Sequence, residues 1–298
     1  MNTGSYVLIT PAKNEGKYLP RTIESVIAQT LRPRKWVIVD DGSVDDTPEI
    51  IANYAKAHNF IETVRLKSRN GRSFGSKVSA FNAGLERLKG IDYSFIGNLD
   101  GDIGLQTGYY EAVIAEFERD PTLGIAGGIV YTQSGHGFET SDTALDSVGG
   151  AVQLFRKKCF EQIGGYMSLQ HGGIDAAAEI MARMHGWSVR KFPGNRVFEY
   201  RKTGSAQHDV LYSCYKEGIK FQSLGYSGIF FFCRCLRRIS DRPFLIRSVL
   251  SLSGFAYASL RGYPACLPSR VVAYLKSEQM NKLRHLLLNR PRQIPTVT

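Results

Sequence analysis

Trp36-Val37-Ile38-Val39-Asp40-Asp41-Gly42-Ser43 is the stretch whose reading decides the fold. Four apolar residues run without a polar break and end in two carboxylates and a glycine. An uninterrupted apolar run of this length suits a strand covered on both faces, as parallel sheets require. Upstream, Tyr6–Thr10 is a second such run, and Pro20 then opens a helix whose Ile23, Val26, Ile27 and Leu31 fall at helical spacing. Downstream, Thr47-Pro48 starts a helix carrying Ile50, Ile51, Tyr54 and Ala55. Val64 and Leu66 mark a third strand, Val78, Phe81, Leu85 and Leu88 another amphipathic helix, and Tyr93–Leu99 a fourth strand. Strands and helices alternating over such short loops predict an α/β fold: a mainly parallel sheet flanked by helices on both faces.

After Gly127 the alternation weakens. Gly149-Gly150, Gly164-Gly165 and Gly172-Gly173 read as loops over a site, Ala176–His185 as a helix, and the chain from Phe221 as aromatic and basic without a sheet pattern. The 298 residues allow one large domain or a domain with an attached segment. No leader peptide is expected from the polar Met1–Gly4, and no stretch reaches the ~18 to 20 apolar residues of a membrane span. Five scattered cysteines exclude a disulfide framework, and Cys233-Arg234-Cys235 lacks the gap of a zinc knuckle, so reduced thiols in a cytoplasmic setting are expected.

Charge is uneven. The chain carries 38 basic and 27 acidic residues, a net +11, and from Tyr200 onward 16 basic residues face 4 acidic ones, a net +12. The shift divides the sequence into an α/β domain, 1–200, and a basic, mainly helical extension, 201–298. In the extension Arg234, Arg237, Arg238, Arg242 and Arg247 crowd beside Phe230, Phe231, Phe232 and Phe244. Basic residues with aromatics and no span suit an interfacial helix on an anionic membrane. RNA is the alternative polyanion, but no nucleic-acid-binding motif is present, so nucleic acid is not expected as a partner. A solvated face would account for the arginines and leave the aromatics unexplained.

The polar clusters fall at strand ends: Lys13, Asn14 and Glu15 after the first, Asp40 and Asp41 at the second, Asp100 and Asp102 at the fourth. In open α/β sheets ligands bind at that edge. In Asn98-Leu99-Asp100-Gly101-Asp102 two carboxylates can converge on one divalent cation, Mn²⁺ or Mg²⁺, although such a run is also a common polar turn. Asp45, Asp46 and Thr47 read as helix caps, which leaves Asp40 and Asp41 unexplained by capping.

Taken together, Pro11-Ala12-Lys13-Asn14-Glu15, the Asp-Asp-Gly-Ser turn and the Asp-Gly-Asp turn resemble the motifs of glycosyltransferase family 2. The resemblance is strong over residues 5–200 and looser through Arg201-Lys202-Thr203-Gly204-Ser205 and Tyr226, which resemble bacterial membrane-associated members that build cell-surface polysaccharide. It implies a GT-A fold, an inverting reaction and a nucleotide-diphosphate sugar, UDP-linked in preference. Pro11, Lys13 and Glu15 would flank the nucleoside, Asp41 would contact its base, Asp100 ribose or metal, and Asp102 would be the main metal ligand. Lys77, in a segment beside the diphosphate, would meet a phosphate or else be a solvated helix-start lysine. Where the family has an acidic pair this chain has Ile174-Asp175, which leaves Asp175 as the general base, with Glu179 one turn later in reserve. Gly164-Gly165-Tyr166 and Phe155-Arg156 would shape the acceptor side, and His171 could touch substrate or be structural. The Gln-x-x-Arg-Trp motif and the spans of processive synthases are missing, which favours transfer of one sugar per encounter to a glycan or lipid-linked acceptor, by a protein peripheral to the inner membrane face.

Two rivals stand beside this reading. A nucleotidyltransferase would want a Gly-rich basic turn after the first strand, which Pro11–Glu15 does not supply. A non-catalytic binder of nucleotide sugars or carbohydrate would keep the nucleotide residues without using Asp175. A dehydrogenase is excluded more firmly, because no Gly-x-Gly-x-x-Gly follows the first strand.

Overall fold

The computed structural model describes residues 4–67, 74–135, 137–140, 144–201, 210–238 and 245–287. The chain forms two compact units, Met1–Ala206 and Gln207–Thr298. Lys202–Ser205, Arg242 and Phe244, noted above, lie outside the described residues.

The first unit opens with β1 (Tyr6–Ala12), α1 (Leu19–Ile27), β2 (Lys35–Asp40), α2 (Thr47–Ala57), β3 (Ile61–Arg65), α3 (Phe74–Glu86) and β4 (Phe95–Asn98). β1 lies between β2 and β4 and β3 lies outside β2, every pairing parallel. This half matches the expected alternation. β1, β2 and β4 are buried on both faces, with Tyr6, Leu8, Trp36 and Ile38 packed into one core with residues of α1 and α2, while β3 at the edge is half exposed. Ile9 and Val39 meet α3 at Gly84, where an added Cβ would lie 2.7 Å from the Ile9 side chain. Trp36 is fully buried, and its indole N–H donates to the Thr10 hydroxyl at 2.9 Å, so the largest core side chain leaves no polar atom unpaired.

Beyond Asn98 the architecture changes. β5 (Ile103–Leu105), α4 (Tyr109–Arg119), β6 (Leu123–Ser134), β7 (Gly137–Glu139), β8 (Leu154–Arg156), α5 (Lys157–Gln162), α6 (Ile174–Met184) and β9 (Ser188–Glu199) continue the sheet in the order β3-β2-β1-β4-β8-β6-β9-β5, with β7 on β6. β8 runs antiparallel to both β4 and β6, and β5 antiparallel to β9, so the parallel half passes into a mixed one. The two long strands β6 and β9 escape the sequence reading. β6 contains Gly124, Gly127 and Gly128, and β9 contains Pro193 and Gly194, which break a strand pattern. They pair in parallel with register shifts at Leu123/Ile125 and Gly128/Ile129, and the glycines let the backbones approach.

The second unit is helical: α7 (Val210–Ser223), α8 (Gly228–Arg237), α9 (Ile246–Leu260) and α10 (Ser269–Leu287). Among the described residues no helix is long and apolar enough to cross a membrane.

The β6–β9 junction makes one expectation quantitative. A Cβ on Gly128 would lie 2.0 Å from the Asn195 carbonyl oxygen, and backbone cannot swing aside as a side chain does. Gly128→Ala should cost about 3 kcal/mol, lowering Tm by roughly 6 to 12 °C. Gly194→Ala in the same sheet, where a Cβ meets nothing within 4 Å, should melt as wild type. Thermal melts of both variants check this.

Candidate active site

The loop after β1 and the loop after β2 are laced together before either can meet a ligand. The Asn14 N–H donates to Ser43 Oγ at 2.9 Å, the Glu15 N–H to Thr47 Oγ1 at 2.8 Å and the Gly16 N–H to Asp45 Oδ2 at 3.0 Å. In return the Val44 N–H donates to Asn14 Oδ1 at 2.9 Å. Asn14 itself has φ 54°, a conformation Asn tolerates. The capping expectation for Asp45, Asp46 and Thr47 is thereby corrected. Asp45 does accept the Thr47 N–H at 3.1 Å, but Asp46 at the N-cap makes no side-chain cap bond, and Asp45 and Thr47 serve mainly to hold the neighbouring loop.

This lacing separates the paired aspartates. Asp40 Oδ1 accepts the Ser43 N–H at 2.8 Å and its Oδ2 lies 3.2 Å from Arg65 Nε, so Asp40 is committed to the turn. Asp41 is buried at the strand end, with its N–H on the Ala12 carbonyl and its carboxylate 3.8 Å from Lys13 Nζ. Pro11, in β1, is half-buried.

The carboxylates past β4 form the centre of the site. Lys77, in the first turn of α3, places its ammonium 2.7 and 2.9 Å from the two oxygens of Asp100. Burial opposes the charge on Lys77, but Asp100, then Asp175 and Asp102, outweigh it and raise its pKa. The solvated-lysine reading is therefore overturned. The Asp102 side chain is 15% exposed. Its carboxyl is held up to about 7 by burial and by repulsion from Asp100, Glu15 and Glu199, with Arg201 opposing. Arg201, in the turn after β9, bonds Glu15, lies 3.7 Å from Asp102 and stacks 5.3 Å over the Tyr18 ring. Glu15, expected beside a nucleoside, thus has its carboxylate tied to Arg201. Asp102 is a mostly buried carboxylate with more negative than positive charge around it, and Asp100 already holds one cation. The first feature suits a divalent ion on an oxygen ligand, and at Asp100 such an ion would share the carboxylate with the Lys77 ammonium.

Among the described residues no group of three or more His, Cys, Asp or Glu forms a complete metal shell. Mg²⁺ and Mn²⁺ need none, since one or two carboxylates plus substrate phosphates suffice for such ions.

A strap, residues 147–153, joins this cluster to α6. Asn98 Nδ2 donates to the Gly150 carbonyl at 2.6 Å and to Asp100 Oδ1 at 3.1 Å, while the Asp100 N–H donates to Ala151 O at 2.9 Å. On the other side of Gly150, an added Cβ would lie 3.0 Å from the Asp175 carboxylate. Asp175 sits in the first turn of α6 behind Gly173, the N-cap at φ 85°, and is half-buried. Because the N-cap is Gly173, Asp175 is not a capping residue.

Glu179 is 3% exposed and accepts the Val148 N–H at 2.6 Å. Gln153, fully buried, donates to Val148 O at 3.3 Å and lies 3.4 Å from Glu179, and the Tyr166 hydroxyl donates to Gln153 Oε1 at 2.8 Å. Glu179 and Tyr166 thus pin the strap from below. Arg156 donates to the carbonyls of Phe117, Leu123 and Asp120, and Phe155 packs edge-on to Phe160 and Tyr166, so both side chains have structural partners. His171 is half-buried in the loop before α6. The sequence reading gave no role to Asn98, Gln153, Glu199 or Arg201. Gln153 carried a signal, a lone amide between Val152 and Leu154, whereas Arg201 depends on where β9 ends.

The chain matches the model of the Glycosyl transferase family 2 over residues 7–175 and belongs to that family. It is 34% identical over 113 residues to a chondroitin synthase of Escherichia coli, covering 38% of this chain and 15% of that protein. It is 26% identical over 170 residues to a poly-beta-1,6-N-acetyl-D-glucosamine synthase of Staphylococcus epidermidis, covering 51% and 39%. The chain spans less than half the length of these relatives. Its fold is similar to mannosyltransferase PcManGT of Pyrobaculum calidifontis, solved with GDP-Man and Mn²⁺, at TM-score 0.55 and 16% identity over 96% of this chain and 81% of that one. It is similar also to GalNAc-T7, solved with UDP, GalNAc and Mn²⁺, at TM-score 0.60 and 18% identity over 89% and 59%. The protein is a member of glycosyl transferase family 2 with a GT-A-like α/β fold and a helical C-terminal part.

Burial, together with the charge of Asp175, raises Glu179 to about 7 from an unfolded value of 4.5, against the opposing pull of Arg183, the Val148 N–H and Ser147. The folded state therefore holds this proton more tightly than the unfolded state. Its contribution is fully present below about pH 4.5 and is lost as the pH rises through 7, a change on the order of 3 kcal/mol. Glu179→Gln keeps an acceptor for Val148 but no titrating proton, so its melts should show a flatter pH profile across that window. Glu179→Ala should lower Tm at every pH. An unchanged slope in Glu179→Gln would assign the dependence to another group.

Proposed function

We propose that this chain is an inverting, divalent-metal-dependent glycosyltransferase. It takes a sugar from a nucleoside-diphosphate sugar, UDP-linked in preference, and gives it to a hydroxyl of a lipid-linked or cell-surface glycan. The observation that carries the reading is Gly150, packed between Asp175 on one side and Asn98 with Asp100 on the other. A carboxylate base and an acidic cation site a single residue apart suit a reaction that deprotonates an acceptor on one side of a carbon and releases a diphosphate on the other.

In this reading Asp41 and Lys13 meet the base, and Pro11 walls the nucleoside. Glu15 holds Arg201, and Lys77 brings positive charge to the diphosphate. A divalent ion on Asp102 and Asp100, when bound, offsets the charge that builds on the departing diphosphate. The acceptor oxygen attacks C1 as Asp175 takes its proton. The bond from C1 to the diphosphate oxygen breaks with its electron pair, and the anomeric configuration inverts. Glu179 has its carboxylate on the Val148 N–H, which supports Asp175 over Glu179 as the base. Solved relatives of the same fold hold UDP with Mn²⁺ in one case and GDP-Man with Mn²⁺ in another, which supports the donor class and the ion.

A second reading, polymerisation, is favoured by the names of the two relatives, both synthases of polysaccharides. Product length at saturating donor separates it from single transfer. Membrane association belongs to the same proposal, because the second unit carries 14 basic and 4 acidic residues, and the enzyme would work at the inner face of the membrane that bears its acceptor.

Two measurements test the proposal. Calorimetry should find UDP binding strengthened by Mn²⁺, and Asp102→Ala should remove that coupling. Equal UDP affinity with and without Mn²⁺ would count against the metal. Asp175→Asn should lower turnover of a UDP-sugar by ~10²- to 10⁴-fold, with UDP affinity within a few-fold of wild type. If Asp175→Asn retains turnover, Asp175 is not the base.

A further inference from the structure

Several large apolar side chains of the second unit are exposed, and on α8 they share one side. On α8, Ile229 is 66% exposed, Phe232 50% and Leu236 50%, at spacings that align them along one side of the helix. The opposite side is fixed: Phe231 stacks on Phe255 at 4.6 Å and lies 5.4 Å from Phe221, and Cys235 is buried. Ser248 Oγ donates to the Cys235 carbonyl at 2.8 Å, which ties the first turn of α9 to the last turn of α8. There Leu245, Ile246 and Val249 are also exposed, Val249 by 56%. The large aliphatic and aromatic side chains that α8 and the start of α9 show to solvent are therefore gathered along one helix face and at one end of the pair. Single exposed apolar residues need no explanation, but a gathered set does.

A cation, Arg237, flanks this face, while Arg234, Arg238 and Arg247 lie on the packed side with Phe231 and Cys235. Arg237 is exposed in the last turn of α8, and Arg234 lies over the Phe221 ring at 4.9 Å. Arg238 and Arg247 each lie 3.4 Å from Glu217, which can neutralise one of the two. The ten residues of α8 are too few to span a bilayer, so a helix of this kind lies in the interface with its apolar side down and Arg237 at headgroup level.

We propose that Ile229, Phe232 and Leu236 of α8, with the exposed start of α9, insert into the surface of an anionic lipid bilayer. The occupant follows from charge. A net +10 over residues 207–298 (14 basic, 4 acidic) repels a second copy of the same unit and is drawn to acidic headgroups. This deepens the membrane-associated reading above and rests on it, while adding that apolar insertion, and not charge alone, holds the protein down.

The test uses the full chain and phosphatidylcholine vesicles with and without phosphatidylglycerol. Its two native tryptophans, Trp36 and Trp187, both lie in the first unit, so a Phe232→Trp variant reports on α8. The introduced indole should shift to the blue with anionic vesicles and be quenched by lipids brominated in the acyl chain. The triple variant Ile229→Gln, Phe232→Gln, Leu236→Gln should keep its helix content and Tm yet bind anionic vesicles at least about tenfold more weakly, with the remaining binding abolished by salt. If wild type and the triple variant bind alike and the indole does not shift, charge alone docks the protein and the insertion face is refuted while membrane association stands. If wild type ignores anionic vesicles, membrane association itself fails. If wild type instead self-associates and the triple variant is monomeric, the face belongs to a second copy and the proposal is overturned.

Discussion

The site depends on one constraint: Asp102 is a mostly buried carboxylate that must be kept beside three others. Burial and the charges of Asp100, Glu15 and Glu199 all disfavour its ionised form, and Arg201 opposes them. A cluster of this kind persists only if the surrounding backbone leaves the side chains nowhere else to go. The laced loops supply that restraint. Three consecutive N–H groups, those of Asn14, Glu15 and Gly16, are spent on Ser43, Thr47 and Asp45, which fixes Glu15 at the edge of the cluster before any ligand arrives. A Cβ on Gly16 would lie 1.7 Å from an Asp46 oxygen, so a larger residue there would displace the exposed Asp46 side chain.

The mixed half of the sheet places the remaining parts. β8 inserts antiparallel beside β4, so the residues just before it, the strap, run alongside the carboxyl end of β4. Asn98, the last residue of β4, fastens the strap there by bonding both Gly150 and Asp100. β9 runs far enough to deliver Arg201 to Glu15 and Asp102. Gln153 and Glu179 hold the strap from the side of α6, so Asp175 and Asp100 are referenced to the same short backbone segment. Positional accuracy of this kind is what proton transfer and leaving-group stabilisation both require.

Half-buried charges in the second unit obey the same electrostatic logic on a smaller scale. Glu217 draws Arg238 and Arg247 together, and Ser251 Oγ donates to the Cys214 carbonyl at 3.0 Å where α7 and α9 touch. That contact is close because Gly218 and Gly254 face the opposing backbones, with added Cβ atoms 1.9 and 2.0 Å from carbonyl oxygens. The small residues bring α7 and α9 together, and the larger apolar residues of α8 remain outside.

By itself the sequence determined the parallel half of the fold. The runs at Tyr6–Thr10, Trp36–Val39 and Tyr93–Leu99 are local signals, and the acidic turns follow directly from them, so the place of Asp41, Asp100 and Asp102 at the carboxyl edge of the sheet was legible and made them candidate site residues. Asp175 was legible through its resemblance to a family position. Only the tertiary structure decided which acidic residues are spent on structure: Asp40 on Ser43 and Arg65, Asp45 on Gly16, Glu15 on Arg201 and Glu179 on Val148. A carboxylate's role depends on which donor reaches it, and those donors come from 3 to 186 residues away along the chain. The strands β6 and β9 were illegible for a related reason. Their glycines and proline weaken every local strand signal, and their stability comes from a long-range pairing whose register no short window of sequence contains.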